Sequence, residues 1–149
     1  MTQEDKELLL KDLCVRLDTN LVCSIYRTDD EGVGYRDEIL HGYCKGDIWY
    51  EFYFREDCSI GIDNVSKIKP YLFPLSSMTE EEKEELKQEH IKDEKLYVEC
   101  LTMAAKGDSS MRGKVIIHYA MDWCNKNHFD YRGLIEKGLA IDATGLNIY

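Results

Sequence analysis

Proline is scarce, with two in 149 residues, and no low-complexity run or internal repeat is visible, which removes linker-like and repeat architectures. Long apolar runs are missing as well: the longest is a few residues, far short of the roughly 20 that a membrane-crossing helix needs. Cations are few. Nineteen Lys and Arg stand against 29 Asp and Glu, a net charge of −10. Direct nucleic-acid binding is therefore not expected, because it is driven by lysine and arginine displacing phosphate counterions. The six cysteines, at 14, 23, 44, 58, 100 and 124, contain no CxxC pair, so neither a zinc ribbon nor a thioredoxin-type motif can be built. No GxGxxG and no GxxxxGK[ST] run occurs, and no nucleophile-elbow or family signature surrounds a cysteine. The N-terminus, MTQEDKELLLKD, is acidic and lacks a basic segment followed by a long apolar one, which argues against a secretory signal. Several cysteines sit inside apolar periodic patterns. That suits free, buried thiols in a reducing cytoplasm.

What is present describes a folded protein. With 44% hydrophobic and 11% aromatic residues, residues 1–149 read as a single domain, long enough to bury roughly two-thirds of its unfolded surface. Glu4 to Leu17 has helical period, with Leu9, Leu10, Leu13, Cys14 and Leu17 as its apolar stripe, Thr2 and Asp5 at capping-box positions and Asn20 at the exit. From Leu21 to Phe73 the period becomes two. Strands are expected over Leu21–Tyr26, Tyr35–Cys44 and residues 48–54, with a short fourth at 60–63. The segments 28–34, 45–47 and 55–59 are the turns. The prolines at 70 and 74 point to an extended connector anchored by Tyr71, Leu72, Phe73 and Leu75.

Thr79 then caps a helix with Glu82 at the partner position, and Glu80 and Glu81 suit its positive end. Whether residues 79–106 form one helix or two is open. A further helix has Val115, Ile116, Tyr119, Ala120 and Trp123 on one face, and Asn127 supplies the stop. A last, short helix is expected from Asp130, its N-cap, to Gly138, its left-handed terminator. Phe129 and Leu139 would pin Leu134 from its two ends. The fold expected is α+β: an N-terminal helix, a small antiparallel sheet of four or five strands, with an SH3-like barrel as one arrangement, then two or three C-terminal helices.

His118 and Asp122, and Cys124 and His128, are spaced four apart, as metal ligands on a helix can be. Asp122 and Cys124, however, point about 200° apart around a helix, so the four cannot converge. No catalytic, cofactor-binding or metal residue is nominated. Three residues are candidates for a partner surface. Trp49 and Tyr53 share one face of a strand whose other face is also apolar; they are either covered by a helix or form an aromatic groove for an extended peptide. Arg132 lies in the first turn of the last expected helix, where the dipole disfavours a cation. It either pairs with an acidic neighbour or meets an anionic group on a partner.

Three blocks carry a resemblance: KELLLKDLCVRL at 6–17, IKPYLFPLSSMTEEEKEE at 68–85 and DWCNKNHFDYRGLIEKGLAID at 122–142. Together they resemble a family of small uncharacterised proteins of gut Bacteroidales bacteria and their phages and prophages. The resemblance implies a phage-associated or mobile-element intracellular context and transfers no site. The leading expectation is a non-enzymatic accessory protein that contacts a protein partner. An acidic nucleic-acid mimic and an undetected enzyme are the alternatives.

Overall fold

A computed structural model describes residues 1–29, 32–45, 50–55, 58–90 and 111–149. Helix α1 (Gln3–Val15) starts where the sequence places a cap. Thr2 Oγ1 accepts from the Asp5 amide, and the Asp5 carboxylate accepts from the Thr2 amide, a reciprocal pair that satisfies two otherwise orphaned donors. The chain leaves through Asn20 in the left-handed conformation (φ 56°). The buried face of α1 differs from the expected stripe. Leu9, Asp12, Leu13 and Arg16 are buried, while Cys14 is exposed and Leu10 and Leu17 are half-buried. Positions 9, 12, 13 and 16 follow the i, i+3, i+4, i+7 rule, so the polar pair sits on the core side.

Two sheets follow. Strands β1 (Val22–Asp29) and β2 (Gly32–Ile39) form a hairpin with eight consecutive antiparallel pairs. Strands β3 (Gly42–Lys45), β4 (Tyr50–Arg55) and β5 (Cys58–Gly61) make a three-stranded antiparallel sheet. The single strand expected over Tyr35–Cys44 is thus two, and the reason is a change of partner. The Leu40 amide donates to the Leu21 carbonyl, whereas the next amide, that of His41, donates to the Tyr53 carbonyl in β4. Successive amides of an extended chain point to opposite edges, so the ribbon passes from one sheet to the other within one residue.

A 3-10 segment (Ile62–Lys67) leads into β6 (Ile68–Pro74), which the prolines disguised as a connector. It is the strand around which the larger sheet is assembled. β1 pairs with Ile68, Lys69 and Pro70; β8 (Ile141–Asp142) runs parallel to Tyr71 and Leu72; β7 (Phe129–Asp130) runs parallel to Phe73 and Pro74. Proline has no amide to donate, and the β1 ladder ends at Pro70. The larger sheet is therefore five-stranded and mixed, in the order β2-β1-β6-β7 with β8 also on β6. The expected all-antiparallel sheet is corrected on this point. No closed barrel is present among the described residues, so the SH3-like arrangement is set aside as well.

Helix α2 (Glu80–His90) begins at a second reciprocal cap, with Thr79 and Glu82 bonded both ways. Helix α3 (Met111–Lys126) buries Ala120, Trp123, Cys124 and Asn125, whereas Tyr119 is exposed. The left-handed residue after α3 is His128 (φ 59°) rather than Asn127, whose side chain instead donates back to the Trp123 carbonyl. The short helix expected from Asp130 is a set of turns. Its punctuation is real: the Asp130 carboxylate accepts from the amides of Arg132, Leu134 and Ile135, Gly138 is left-handed (φ 68°), and the Leu139 amide donates to the Leu134 carbonyl. Gly133, also left-handed at φ 73°, interrupts the first turn and prevents propagation.

The main core joins Leu9 and Leu13 of α1 to Leu21, Ile25, Leu40, Phe52, Phe54, Ile68, Leu72 and Leu134. A second cluster, with Trp123 stacked on Phe129, lies between α2, α3 and β7. The whole is α+β: an N-terminal helix, sheets, and a C-terminal helix. None of the described helices is long and apolar enough to cross a membrane.

Candidate functional site: the outer edge of β2

The residues singled out from sequence fall in different places. Trp49 lies outside the described residues. Tyr53 is half-buried in β4, with Gly42 and Ser59 as its register partners, and it is not free of contacts. Arg132 is taken up within the fold. Its Nε stands 3.2 Å from Asp12, its guanidinium lies 4.7 Å from the centre of the Tyr131 ring, and it donates to the Tyr131 hydroxyl.

Arg132 belongs to a buried polar network that the sequence reading did not find. Arg16 and Asp12, both wholly inaccessible, are bonded at 2.8 and 3.2 Å. Arg16 also donates to the carbonyls of Cys124, Asn125 and Phe129. It thereby serves the orphaned carbonyls at the end of α3 and ties the N-terminal helix to the C-terminal third. The signal available in the sequence was the i, i+4 Asp–Arg spacing in register with Leu9 and Leu13.

Three groups with nucleophilic or acid–base potential, Cys23, Cys124 and His128, are buried. Burial pushes the Cys124 thiol up to about 12 and raises Cys23 further still, which suppresses the reactive thiolate. Burial, with the Arg16 cation nearby, pushes His128 down to about 4. That imidazole stacks on the Tyr149 ring with centroids 3.9 Å apart, and its Nδ1 makes no hydrogen bond among the described residues. His118 and Asp122 form an exposed pair at 3.4 Å. No group of three metal-ligating side chains occurs among the described residues. Comparison with protein-family models, curated proteins and solved structures finds no match.

The surface feature that stands apart is β2. It is the terminal strand of its sheet among the described residues, and its pairing to β1 runs from Val22↔Ile39 to Asp29↔Gly32 without a shift. Because the Leu40 amide faces β1, alternation along an antiparallel ladder turns the amides and carbonyls of Gly34, Arg36 and Glu38 toward β1. Those of Val33, Tyr35, Asp37 and Ile39 turn outward. The same four odd-numbered residues have their side chains on one face. Val33 and Tyr35 are each 65% exposed and Ile39 is 40% exposed. Tyr35 meets Tyr26 edge-on at 5.1 Å, and the Asp37 carboxylate accepts from the Tyr71 hydroxyl at 2.9 Å. An extended edge whose backbone groups point to solvent, beside an apolar face, is a template for a further strand.

Two concave regions lie elsewhere among the described residues. A cleft of 260 Å³ is bounded by Tyr26, Arg27, Thr28 and Lys67 among others, and a shallow region of 650 Å³ runs along the outer side of α1 past Leu8, Leu10, Cys14 and Val15.

Proposed function

We propose that this is a non-enzymatic accessory protein of phage or mobile-element origin. It acts in the cytoplasm through protein–protein contact, with the edge and outer face of β2 as the contact surface. The observation that carries this reading is the coincidence, on one strand, of outward backbone groups at Val33, Tyr35, Asp37 and Ile39 with exposed apolar side chains at three of those positions. Strand addition draws affinity from the backbone and selectivity from alternate side chains, and both are on offer here.

The test is affinity capture of the tagged protein in its native host, followed by direct binding of the purified captured protein. Tyr35→Pro removes an outward amide that β1 does not use, so the fold keeps its ladder while the edge is blocked. Tyr35→Ser removes the face. Loss of direct binding with both variants is expected, at unchanged melting temperature to within a few degrees. Binding that survives both variants places the contact elsewhere and overturns the assignment.

A further inference from the structure

We infer that the strand added to β2 is the β2 strand of a second copy of this chain, paired antiparallel about Asp37. The inference rests on the reading of β2 as the contact surface. Its argument is the self-complementarity of one register. A sheet continuous across a two-fold axis places outward-facing residues opposite outward-facing residues. With five or more residues of Gly32–Ile39 paired, the axis can then pass through Gly34, Tyr35, Arg36 or Asp37. At Gly34, Arg36 faces only Gly32 and Glu38 faces no residue of the strand. At Arg36, two guanidinium groups stand directly opposite in the closer, non-hydrogen-bonded type of pair, which is repulsive. At Tyr35, Arg36 and Glu38 face only Gly34 and Gly32, and Val33 faces Asp37. At Asp37, each Arg36 stands opposite Glu38 of the second copy, and each Tyr35 opposite its Ile39. Two opposite-charge and two aromatic–aliphatic pairs then form at once, against one like-charge pair, the two Asp37 residues on the axis, which stand in the wider, hydrogen-bonded type of pair with each carboxylate bonded to Tyr71.

The charges on β2 acquire a purpose in this arrangement. Charged residues on the inner side of an edge strand ordinarily discourage pairing. Here Glu38 is ion-paired to Arg27 of its own chain at 3.5 Å, and Arg36 of the second copy extends that pair to a row of alternating sign. Arg36 and Glu38 gain a counter-charge only with the axis at Asp37: at Arg36 like charges meet, and at Gly34 or Tyr35 both face glycine or no residue of the strand. They select one partner strand and one alignment.

Two measurements decide the matter. In amide exchange followed by NMR, the Tyr35, Asp37 and Ile39 amides are expected to become protected as concentration rises. Val33 stays fast, and Gly34, Arg36 and Glu38 are slow throughout. Sedimentation then gives a mass approaching twice 17.4 kDa. In the second measurement, Arg36→Glu alone sets Glu against Glu38, and Glu38→Arg alone sets Arg against Arg36, so each variant is expected to be monomeric. Mixing the two restores opposite charges at both pairs and is expected to restore the dimer at least tenfold over either alone. A merely destabilised fold would not be rescued by mixing. A chain that stays monomeric at millimolar concentration, with Tyr35, Asp37 and Ile39 still exchanging fast, overturns the inference. If a captured protein then protects those same amides, the contact surface stands and only its occupant is wrong. Where neither a second copy nor a captured protein protects them, both readings fall.

Discussion

Asp12 and Arg16 lie one helical turn apart, wholly buried, with 2.8 Å between Asp12 Oδ2 and Arg16 Nε. A buried charge without its counter-charge is far more costly than an exposed one. Asp12 also faces Arg132 at 3.2 Å, so its removal strands two cations. Asp12→Ala is expected to lower stability by about 3–5 kcal/mol, measured by urea denaturation at pH 7. The double replacement Asp12→Leu with Arg16→Met, apolar on both sides, is expected to cost less than the single change. A milder single variant would show that water reaches the pair.

Leu134 is buried completely between the Asp130 and Gly138 turns. Leu134→Ala is expected to cost roughly 2–5 kcal/mol, the range for truncating a buried leucine, and a thermal melt measures it. An unchanged melt would contradict its place in the core.

Gly138 sits at φ 68° with nothing near its would-be Cβ, so a side chain there meets backbone strain and no collision. Gly138→Ala is expected to cost about 1–2 kcal/mol. Gly138→Asn should recover part of that, since asparagine tolerates this conformation better. Equal stability of all three proteins would place the turn in another conformation.

Acid should weaken the fold through His128. Its neutral form is held down to about pH 4 in the native state, whereas the unfolded imidazole takes a proton near 6.5. Between those values the unfolded state binds more protons, so stability falls as pH drops from about 6.5 toward 4. Partial solvent contact limits the loss to on the order of 2 kcal/mol. His128→Asn keeps a residue suited to the left-handed conformation and removes the titration. Its stability should change less than the parent's between pH 7 and 5 in paired urea titrations.

How much was legible in the sequence depended on range. Both reciprocal caps, at Thr2–Asp5 and Thr79–Glu82, were readable because each is closed by residues three apart. The Asp130–Gly138 signals were also local, but caps that start a helix can equally brace a turn, and Gly133 decided which. β6 was missed because Pro70 and Pro74 argue against a strand; here Pro70 falls where the β1 pairing ends and Pro74 is the last residue of the strand. The sequence pattern makes Tyr35–Cys44 one strand where the fold has two, because the exchange of partners at Leu40 and His41 is a tertiary event with no residue signature. Arg16 looked like one of many helix-surface cations, because its acceptors lie more than a hundred residues away. Of the surface candidates, Arg132 lies inside that network, while the β2 face was read as strand and turn without regard to its outer edge.

Arg16 sets a timetable for synthesis. Its three carbonyl acceptors lie 108, 109 and 113 residues downstream, and two of β6's neighbours, β7 and β8, come from residues 129–142. A nascent chain carrying α1 and the β1–β2 hairpin therefore holds a helix whose inner face bears a guanidinium satisfied only by Asp12 and cannot dock dry. Until residues 124–142 have left the ribosome, the segment before them stays hydrated and open to chaperones. Its commitment to the native state is then a single late event, in which Arg16 is dehydrated as the chain's two ends meet.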